Sequence, residues 1–593
     1  MSNVNIQNGN QSPDSSAQKT AVLDFYNQIP TKLRAYLERF NISTAQEMFN
    51  FLQPKLSTLD NPYKIDNCER ASERLWKAFV NQETVLIYGD YDLDGTSGII
   101  LLYESFKALG FQNLHYFQPS KANDGYGLHA HVLEKLKAEK NIDVVVTVDV
   151  GITGNVACDK AVQLGIDVIV TDHHLAQDEL PNAYAIVNPN QPGDQSGLGY
   201  LCGCGVGFYL VRGLCKKWIQ NGSPVALDLK SILPYFAVAT VTDMVPLIKD
   251  NRTLLKFAFE SFKTVTNFGF KALLTELNLN NKKLDTSDIG LQLAPKINAI
   301  TRMSSELKPI DLFFINSEAE AKVFAKNILK LNVERKQLQE AGLQEAKAAY
   351  EAHIKNYPID SEDHHRAFFY SSEHIHHGVT GLVASKLVES YGGSFFIGAH
   401  ARDTDVVVGS SRKPDHVNYS LVDLMATSKD RWIRFGGHAS AAGFEYLKSN
   451  EDAIRKGSNE FLMTAQSAIN EAASPSVNRC EEPIELNWFD LNTHFFSWVQ
   501  FLEPFGSHFP EPIFKLSKVP VLSVKVMKEK HFKLNVVNPH NREALNFVLF
   551  NSTEEQRQLL NSLNRELNIC FKIKKDTFNY NQRFQFIVES LEP

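Results

Sequence analysis

Three short β-branched runs in the first third of this 593-residue chain each stop on acidic residues or histidines. TVLIYGDYDLDG halts at Asp90, Asp92 and Asp94, DVVVTVDVG at Asp149, and DVIVTDHH at Asp172, His173 and His174. Over 84–88, 143–148 and 167–171 the runs have the apolar continuity of parallel strands buried on both faces. Side chains at the carboxyl ends of such strands meet in one crevice. Asp243, in VTDMVPL, joins the set from a stretch that reads as helical. Four or five carboxylates and an imidazole share a small volume only when cations neutralise them. Oxygen donors with a little imidazole suit Mn²⁺ or Mg²⁺, and two such ions point to phosphoryl transfer.

Composition narrows the classes. A hydrophobic content of 43% supports several cores, and a formal charge of −7 excludes a protein that is basic all over. Any nucleic-acid contact must then come from a local groove. None of the seven cysteines forms a CxxC pair, which disfavours a zinc ribbon or a disulfide framework and fits a reducing cytoplasm. No apolar run approaches the roughly 20 residues of a membrane span, so no membrane partner is expected.

The pattern along the chain implies an α/β protein of several parts. Residues 1–20 are polar and read as a disordered tail, and 21–80 as a helical N-terminal cap on the next domain. Strand and helix then alternate, giving a doubly wound parallel sheet in a catalytic domain over 81–316. AIVNPNQPGDQSG breaks that pattern, and the glycines of GLGYLCGCGVGF are read as close helix packing ahead of a phosphate cradle. A helix over 317–357, with no proline and only Gly342, reads as a linker between two lobes. Residues 358–475 form a smaller α/β unit with strands near 367–370, 394–398 and 405–409, a helix over 379–390, and GGHASAAG leading into another helix. Short β-rich runs over 476–593 suit an antiparallel barrel of the OB-fold type. There Lys525, Lys528, Lys530, Lys533, Lys572, Lys574 and Lys575 interleave with Phe532, Phe571, Phe578, Tyr580 and Phe584. That pattern reads either as a single-strand platform or as plain strand alternation.

GDYDLDG, VDVG and TDHH, followed by EHIHHGVTGLVASKL, GSSR and FGGHASAAG, resemble the DHH phosphoesterases. With FPEPIF near the C-terminus they are similar to the RecJ family of bacterial single-strand-specific exonucleases. The resemblance implies a DHH domain, a DHHA1 domain over 358–475 and an OB-fold. It also implies two Mn²⁺ or Mg²⁺ ions and single-stranded DNA as partner, with a helicase or single-strand-binding protein beside it.

Carried over residue by residue, it makes Asp90, Asp92, Asp94, Asp149, His173 and Asp243 the metal-binding set, with Asp149 shared by both ions. His174 contacts substrate or supports the shell, and Asp172 orients an imidazole. Many relatives carry histidine where Tyr88 stands, and phenol is a poor ligand at neutral pH. Asp90 stands near enough to substitute. Lys121 takes a place commonly held by arginine, and Tyr126 beside it is a base-stacking or turn residue. Arg302, Ser410, Arg412, Gly436, Gly437 and His438 are expected around the incoming phosphate, with Lys296 replacing an expected arginine. Of His364, His365, His374, His376 and His377, only His376 matches a family position.

The leading reading is a processive 5′-to-3′ exonuclease on single-stranded DNA; the alternatives are a phosphodiesterase for short oligonucleotides or cyclic dinucleotides, which the C-terminal barrel disfavours, and a non-catalytic binding scaffold, which the intact aspartates disfavour.

Overall fold

The computed structural model describes residues 15–120, 124–177, 179–303, 306–356, 367–401, 404–415, 417, 419–469, 482–528, 530–561, 566–575 and 584–593. The chain opens with α1 (Ser15–Gln28), α2 (Thr31–Glu38) and α3 (Ala45–Leu52). The tail expected over 1–20 is therefore helical from Ser15, and its first fourteen residues lie outside the described set. Leu33, Tyr36, Leu37, Met48 and Leu52 form an apolar stripe, but it does not cover the neighbouring sheet. It joins Phe509, Phe514, Leu534 and Phe547 of the C-terminal barrel in one core. An amphipathic stripe says only that a helix has a partner, and the partner here is more than 400 positions away. It is α4 (Cys68–Val80) that packs on the first sheet, through Cys68, Ala71, Leu75 and Ala78.

That sheet is built from β1 (Val85–Gly89), α5 (Leu93–Leu109), β2 (Leu114–Phe117), α6 (Ala130–Lys140), β3 (Val144–Val148), α7 (Asn155–Gln163), β4 (Asp167–Thr171) and β5 (Ala185–Val187). Its order is β2-β1-β3-β4-β5, with every pairing parallel. Along β1 the faces alternate. Val85 and Ile87 enter the core with α4, α5 and α8 (Gly203–Gln220), whereas Leu86 and Tyr88 enter the core with α6 and α7. Strand order reverses between β1 and β3, so a crevice opens at their carboxyl ends. Gly98 of α5 lets the helix settle on Val148, where a Cβ would lie 2.3 Å from a methyl group. A helical stretch completes this part, with α9 (Leu233–Thr242), α10 (Lys249–Ser261), α11 (Phe268–Glu276) and α12 (Ala294–Met303).

The expected linker is α13 (Glu318–Asn356), a single helix of 39 residues. Beyond it lie β6 (Ala367–Ser372), α14 (Thr380–Tyr391), β7 (Ser394–His400), β8 (Val406–Arg412), α15 (Leu421–Ala426), β9 (Trp432–Gly437), β10 (Ala441–Leu447) and α16 (Glu451–Ile469). Sheet order is β6-β7-β8-β10-β9, parallel only at β6–β7. GGHASAAG does not enter a helix: it closes a hairpin. The Phe444 ring lies over Gly409 on the facing strand, where a Cβ would meet it at 2.3 Å, so small residues serve cross-strand packing.

The last part comprises β11 (Ile484–Leu486), α17 (Thr493–Phe501), β12 (Phe514–Lys528), β13 (His531–Val537), β14 (Ala544–Leu549), α18 (Glu554–Asn561), β15 (Glu566–Lys575) and β16 (Phe584–Glu592). The order β11-β12-β13-β14-β16-β15 closes through an added β12–β15 pairing, which makes a barrel.

Candidate active site

The first sheet delivers its acidic residues to one rim. After β1 the chain turns so tightly that a Cβ on Gly95 would lie 2.5 Å from the Asp90 backbone. Asp92 caps α5, its Oδ1 accepting from the N–H groups of Asp94 (2.9 Å) and Gly95 (3.0 Å). Asp94 is buried, and its two oxygens accept from the backbone N–H groups of Gly203 (2.7 Å) and Cys204 (2.8 Å), which open α8. Gly203 also touches Asp149, where a Cβ would come within 2.5 Å of the aspartate's own Cβ. Asp149 follows β3 with φ 61°, a left-handed conformation rare for a residue with a side chain.

After β4, Asp172 accepts from the backbone N–H groups of Ile152 (2.9 Å), His173 (2.8 Å) and His174 (3.1 Å), and its Oδ1 lies 2.8 Å from His174 Nδ1. Asp243 comes from the C-terminal end of α9. His173 Nε2 sits 3.3 Å from Asp149 Oδ1, 3.6 Å from Asp243 Oδ2 and 3.8 Å from Asp94 Oδ2.

Three donor groups therefore overlap: Asp149 with His173 and His174, Asp94 with His173 and Asp243, and Asp90 with Asp92 and Asp149. In each, the donor atoms all lie within 4.8 Å of one another, and Asp149 and His173 each belong to two groups. Asp90 Oδ1, Asp149 Oδ1 and His173 Nε2 are buried without a hydrogen-bond partner among the described residues. Buried polar atoms left in that state are costly unless another group binds them. Carboxylates with one or two imidazoles could hold hard divalent ions here.

The electrostatics agree. Burial, with Asp92 adding to it, pushes the Asp90 carboxyl up to about 8. Burial together with Asp94 and Asp92 does the same for Asp243. Asp94 and Asp149 are also raised, by burial and by one another's neighbourhood of carboxylates. At Asp172 burial pulls upward, but the bond and charge of His174 prevail and its carboxyl is lowered. At His174 burial pulls downward and Asp172 prevails, raising the imidazole to about 9. Burial holds His173 below its usual value.

Tyr88 stands outside all three groups. Its hydroxyl donates to the Gly127 carbonyl at 3.0 Å, and its ring lies in the core beneath α6 and α7, so the loop reaches the site through Asp90 and Asp92 and not through Tyr88. Tyr126 is 45% exposed with its hydroxyl 3.4 Å from His174 Nδ1, which puts it on the rim. Lys121 lies outside the described residues.

Two supports escape a reading of the sequence. Asn188 Nδ2 donates to the His174 carbonyl (2.9 Å), and Asn190 Nδ2 to the carbonyls of His173 (2.6 Å) and Gly199 (3.3 Å). In sequence NPN reads only as a pattern break, because asparagine is common in loops whatever its partner.

The family model of the DHH family, N-terminal domain, matches residues 84–237, and that of the RecJ OB domain matches 484–590. The single-stranded-DNA-specific exonuclease RecJ of Escherichia coli is 29% identical over 577 residues, covering 95% of this chain and 96% of that protein. Its counterpart in Salmonella typhimurium is 28% identical over 576 residues, covering 95% and 97%. The chain is similar to RecJ exonucleases over nearly its whole length. The fold agrees with that of RecJ from Thermus thermophilus in complex with Mn²⁺, with a TM-score of 0.75 at 22% identity over 98% of this chain and 79% of the other. Against an exonuclease RecJ bound to manganese the TM-score is 0.57 at 26% identity, over 69% and 97%.

In this chain the second lobe gathers most of the expected phosphate residues around the start of α14. Arg302 Nη1 donates to the Gly378 carbonyl at 3.2 Å, and a Cβ on Gly378 would lie 2.0 Å from the Arg302 carbonyl oxygen. Ser410 Oγ is 3.4 Å from Thr380 Oγ1, and Arg412 Nη2 would meet a Cβ on Gly381 at 3.0 Å. Gly436 and Gly437 end β9, and His438 is exposed in the hairpin turn, where its N–H donates to the Ala441 carbonyl (2.8 Å). The register Ala441↔Arg412 brings that turn beside Arg412. Burial, then Arg335 and Arg412, pull the Arg302 guanidinium down to about 10. Lys296 instead reaches the Leu291 carbonyl at 3.4 Å.

His376 caps a 3₁₀ turn, with Nδ1 accepting from the Gly378 N–H at 3.1 Å, and its ring stacks on His377. His374 is exposed beside Glu373, and His364 and His365 lie outside the described residues.

On the barrel, Phe532 and Phe571 are core residues, and Lys572 and Lys574 pair with Glu589 (3.1 Å) and Glu511 (2.7 Å). Strand alternation accounts for these four. Phe578 and Tyr580 lie outside the described residues. Among the described residues, no helix is long and apolar enough to cross a membrane.

Proposed function

We propose that this chain is a metal-dependent exonuclease that hydrolyses single-stranded DNA from the 5′ end to mononucleotides. The observation that carries the reading is the trio of donor groups sharing Asp149 and His173, with buried donor atoms lacking a partner among the described residues. It is supported by RecJ relatives that are single-stranded-DNA-specific exonucleases over nearly the whole chain, and by RecJ structures holding Mn²⁺.

Asp90, Asp92, Asp94, Asp149, His173 and Asp243 would hold two Mn²⁺ or Mg²⁺ ions. Bound there, such ions supply a hydroxide near neutral pH and stabilise charge on the phosphoryl and leaving oxygens. The rest of the work falls to the chain. Asp172 accepts from His174 Nδ1–H and keeps the imidazole protonated, so that its Nε2–H would donate to a phosphate oxygen. Arg302, Ser410 and Arg412 would hold the strand's phosphate across the cleft, and the exposed ring of Tyr126 would take a base at the rim. Lys121 would offer a cation to the terminal phosphate without the arginine fork. A DNA repair or recombination role in the cytoplasm, beside a helicase or single-strand-binding protein, belongs to the same reading.

The test is digestion of a long single strand labelled at either end, with and without Mn²⁺. Metal-dependent release of mononucleotides from the 5′ end is expected. Cleavage confined to dinucleotides would instead make the chain a short-oligonucleotide phosphodiesterase, and binding without cleavage a scaffold.

A further inference from the structure

Gln118 follows β2, where a polar residue between Phe117 and Pro119 reads as the start of a loop, yet its side chain is buried at 2% exposure. Both ends of its amide are engaged. Oε1 accepts from the Ile310 N–H at 3.2 Å, while Nε2 donates to the Asp90 carbonyl at 2.9 Å and to Thr96 Oγ1 at 2.7 Å. An N–H at one end and a carbonyl at the other leave the amide only one way to face. The Thr96 hydroxyl, itself fully buried, donates in turn to the Asp92 carbonyl.

Asp90 and Asp92 form one donor group with Asp149, and this chain of bonds holds the main-chain carbonyls of both. Gln118 is itself fixed from outside the sheet. Lys308 Nζ donates to its carbonyl at 2.6 Å, and Ile310 lies in the 3₁₀ turn Pro309–Phe313 that precedes α13. Just past that turn the Phe314 ring stacks on Tyr116 of β2, with ring centres 3.8 Å apart. Gln118 thus stands between a braced segment and the aspartate loop. A buried amide whose groups are all bonded orients what it touches.

We propose that Gln118 is a positioning residue, which sets the Asp90–Asp92 loop in the shape that receives divalent ions. It acts through the Asp90 carbonyl and through Thr96, and is not itself one of the donor residues. That the loop serves metal-dependent hydrolysis rests on the exonuclease reading above, whereas the bonds to Asp90, Thr96 and Ile310 rest on the geometry.

The experiment compares full-length wild type, Gln118→Leu, Thr96→Val, Thr96→Ser and the double variant of Gln118→Leu with Thr96→Val. Mn²⁺ binding is measured by calorimetry, and then digestion of a single strand. Gln118→Leu should lower Mn²⁺ affinity about 10–100-fold, as expected when a group supporting a ligand is removed. Its kcat should fall at limiting Mn²⁺ and recover as Mn²⁺ is raised, with KM for the strand moving less. Thr96→Val should weaken Mn²⁺ binding in the same direction, and Thr96→Ser, which keeps the hydroxyl, should recover most of that loss. The double variant should lose less than the product of the two single losses, because both act through one chain of bonds. Unchanged Mn²⁺ affinity in Gln118→Leu would overturn the proposal, even with a lower melting temperature, which marks a purely structural residue. Losses that simply multiply in the double variant would overturn it too. Should Gln118→Leu fail to fold, the Thr96 pair decides: equal Mn²⁺ affinity in Thr96→Val and Thr96→Ser would overturn it. If the wild type binds Mn²⁺ in a Gln118-dependent way yet cuts no single strand, the exonuclease reading fails and the positioning role survives.

Discussion

Asp149 is where backbone and side chain are most constrained together. It is buried, left-handed, wedged against Gly203, and aimed with an unpartnered oxygen at His173. Asp149→Asn should abolish hydrolysis and lower Mn²⁺ affinity by calorimetry, while strand binding stays within several-fold, since Ser410 and Arg412, which are expected to hold the phosphate, lie in the other lobe. The raised carboxyls make a second prediction, about pH. Asp90 and Asp243 bind protons more tightly folded than unfolded, up to about 8, and His174 does so up to about 9. Between the unfolded carboxylate range near 4 and those values the folded chain holds more protons, so stability falls as pH rises. The metal-free protein should therefore melt lower at pH 8 than at pH 6, and Mn²⁺ should restore more at the higher pH. A melting temperature that climbs over this window without metal would contradict the crowding of these carboxyls. Tyr88 makes the opposite kind of case. Tyr88→Phe removes one hydrogen bond to Gly127, worth about 1 kcal/mol, and should leave the Mn²⁺ titration unmoved.

At the scale of elements, the site is held by helix starts and a loop as much as by strand ends. The first amides of α8 serve both oxygens of Asp94, and they reach it because Gly203 has no side chain to strike Asp149. The glycine run does serve close packing: Gly203 packs on the site itself, and Gly205 and Gly207 pack on Phe236, Leu102 and Val148. Gly203→Ala should cost at least as much activity as loss of a supporting contact, roughly 10–100-fold, with little change in far-ultraviolet dichroism. Asn190→Ala should fall in the same range by freeing the His173 carbonyl. In the second lobe the hairpin at Gly437 is hidden from sequence because its small residues satisfy a helix start as readily as a strand laid across glycine.

For the whole molecule, the decisive join is between the first helices and the last barrel. Arg252 of α10 is fully buried there, with its guanidinium 3.8 Å from the Phe51 ring centre and 4.8 Å from that of Phe509. It donates to the carbonyls of Pro504 (2.7 Å), Glu503 (3.2 Å) and Phe51 (3.3 Å). One residue of the catalytic part thus fastens the N-terminal helices and the barrel to it. Arg252→Ala should destabilise that join by about 3 kcal/mol or more, given several hydrogen bonds to one charged group. Calorimetry should then resolve a lower, separate transition for the barrel and its helices. A single unshifted transition would mean that the join is held elsewhere.

The sequence determined what local pattern can encode. Strands 84–88, 143–148 and 167–171, the long helix, and the carboxylates at strand ends all follow from periodicity and from the rule that parallel strands share a crevice. It also named Asp92, Asp94, Asp149, His173 and Asp243 as residues that meet, and the structure does bring them together. Tertiary structure alone decided what depends on a distant partner: the barrel as the home of the first helices, the amides that hold Asp94, the asparagines beneath His173 and His174, and the burial of Tyr88 away from the site. A residue's own neighbours in the chain fix its conformation. Which remote surface its exposed atoms or apolar stripe will meet is settled only when the whole chain has packed.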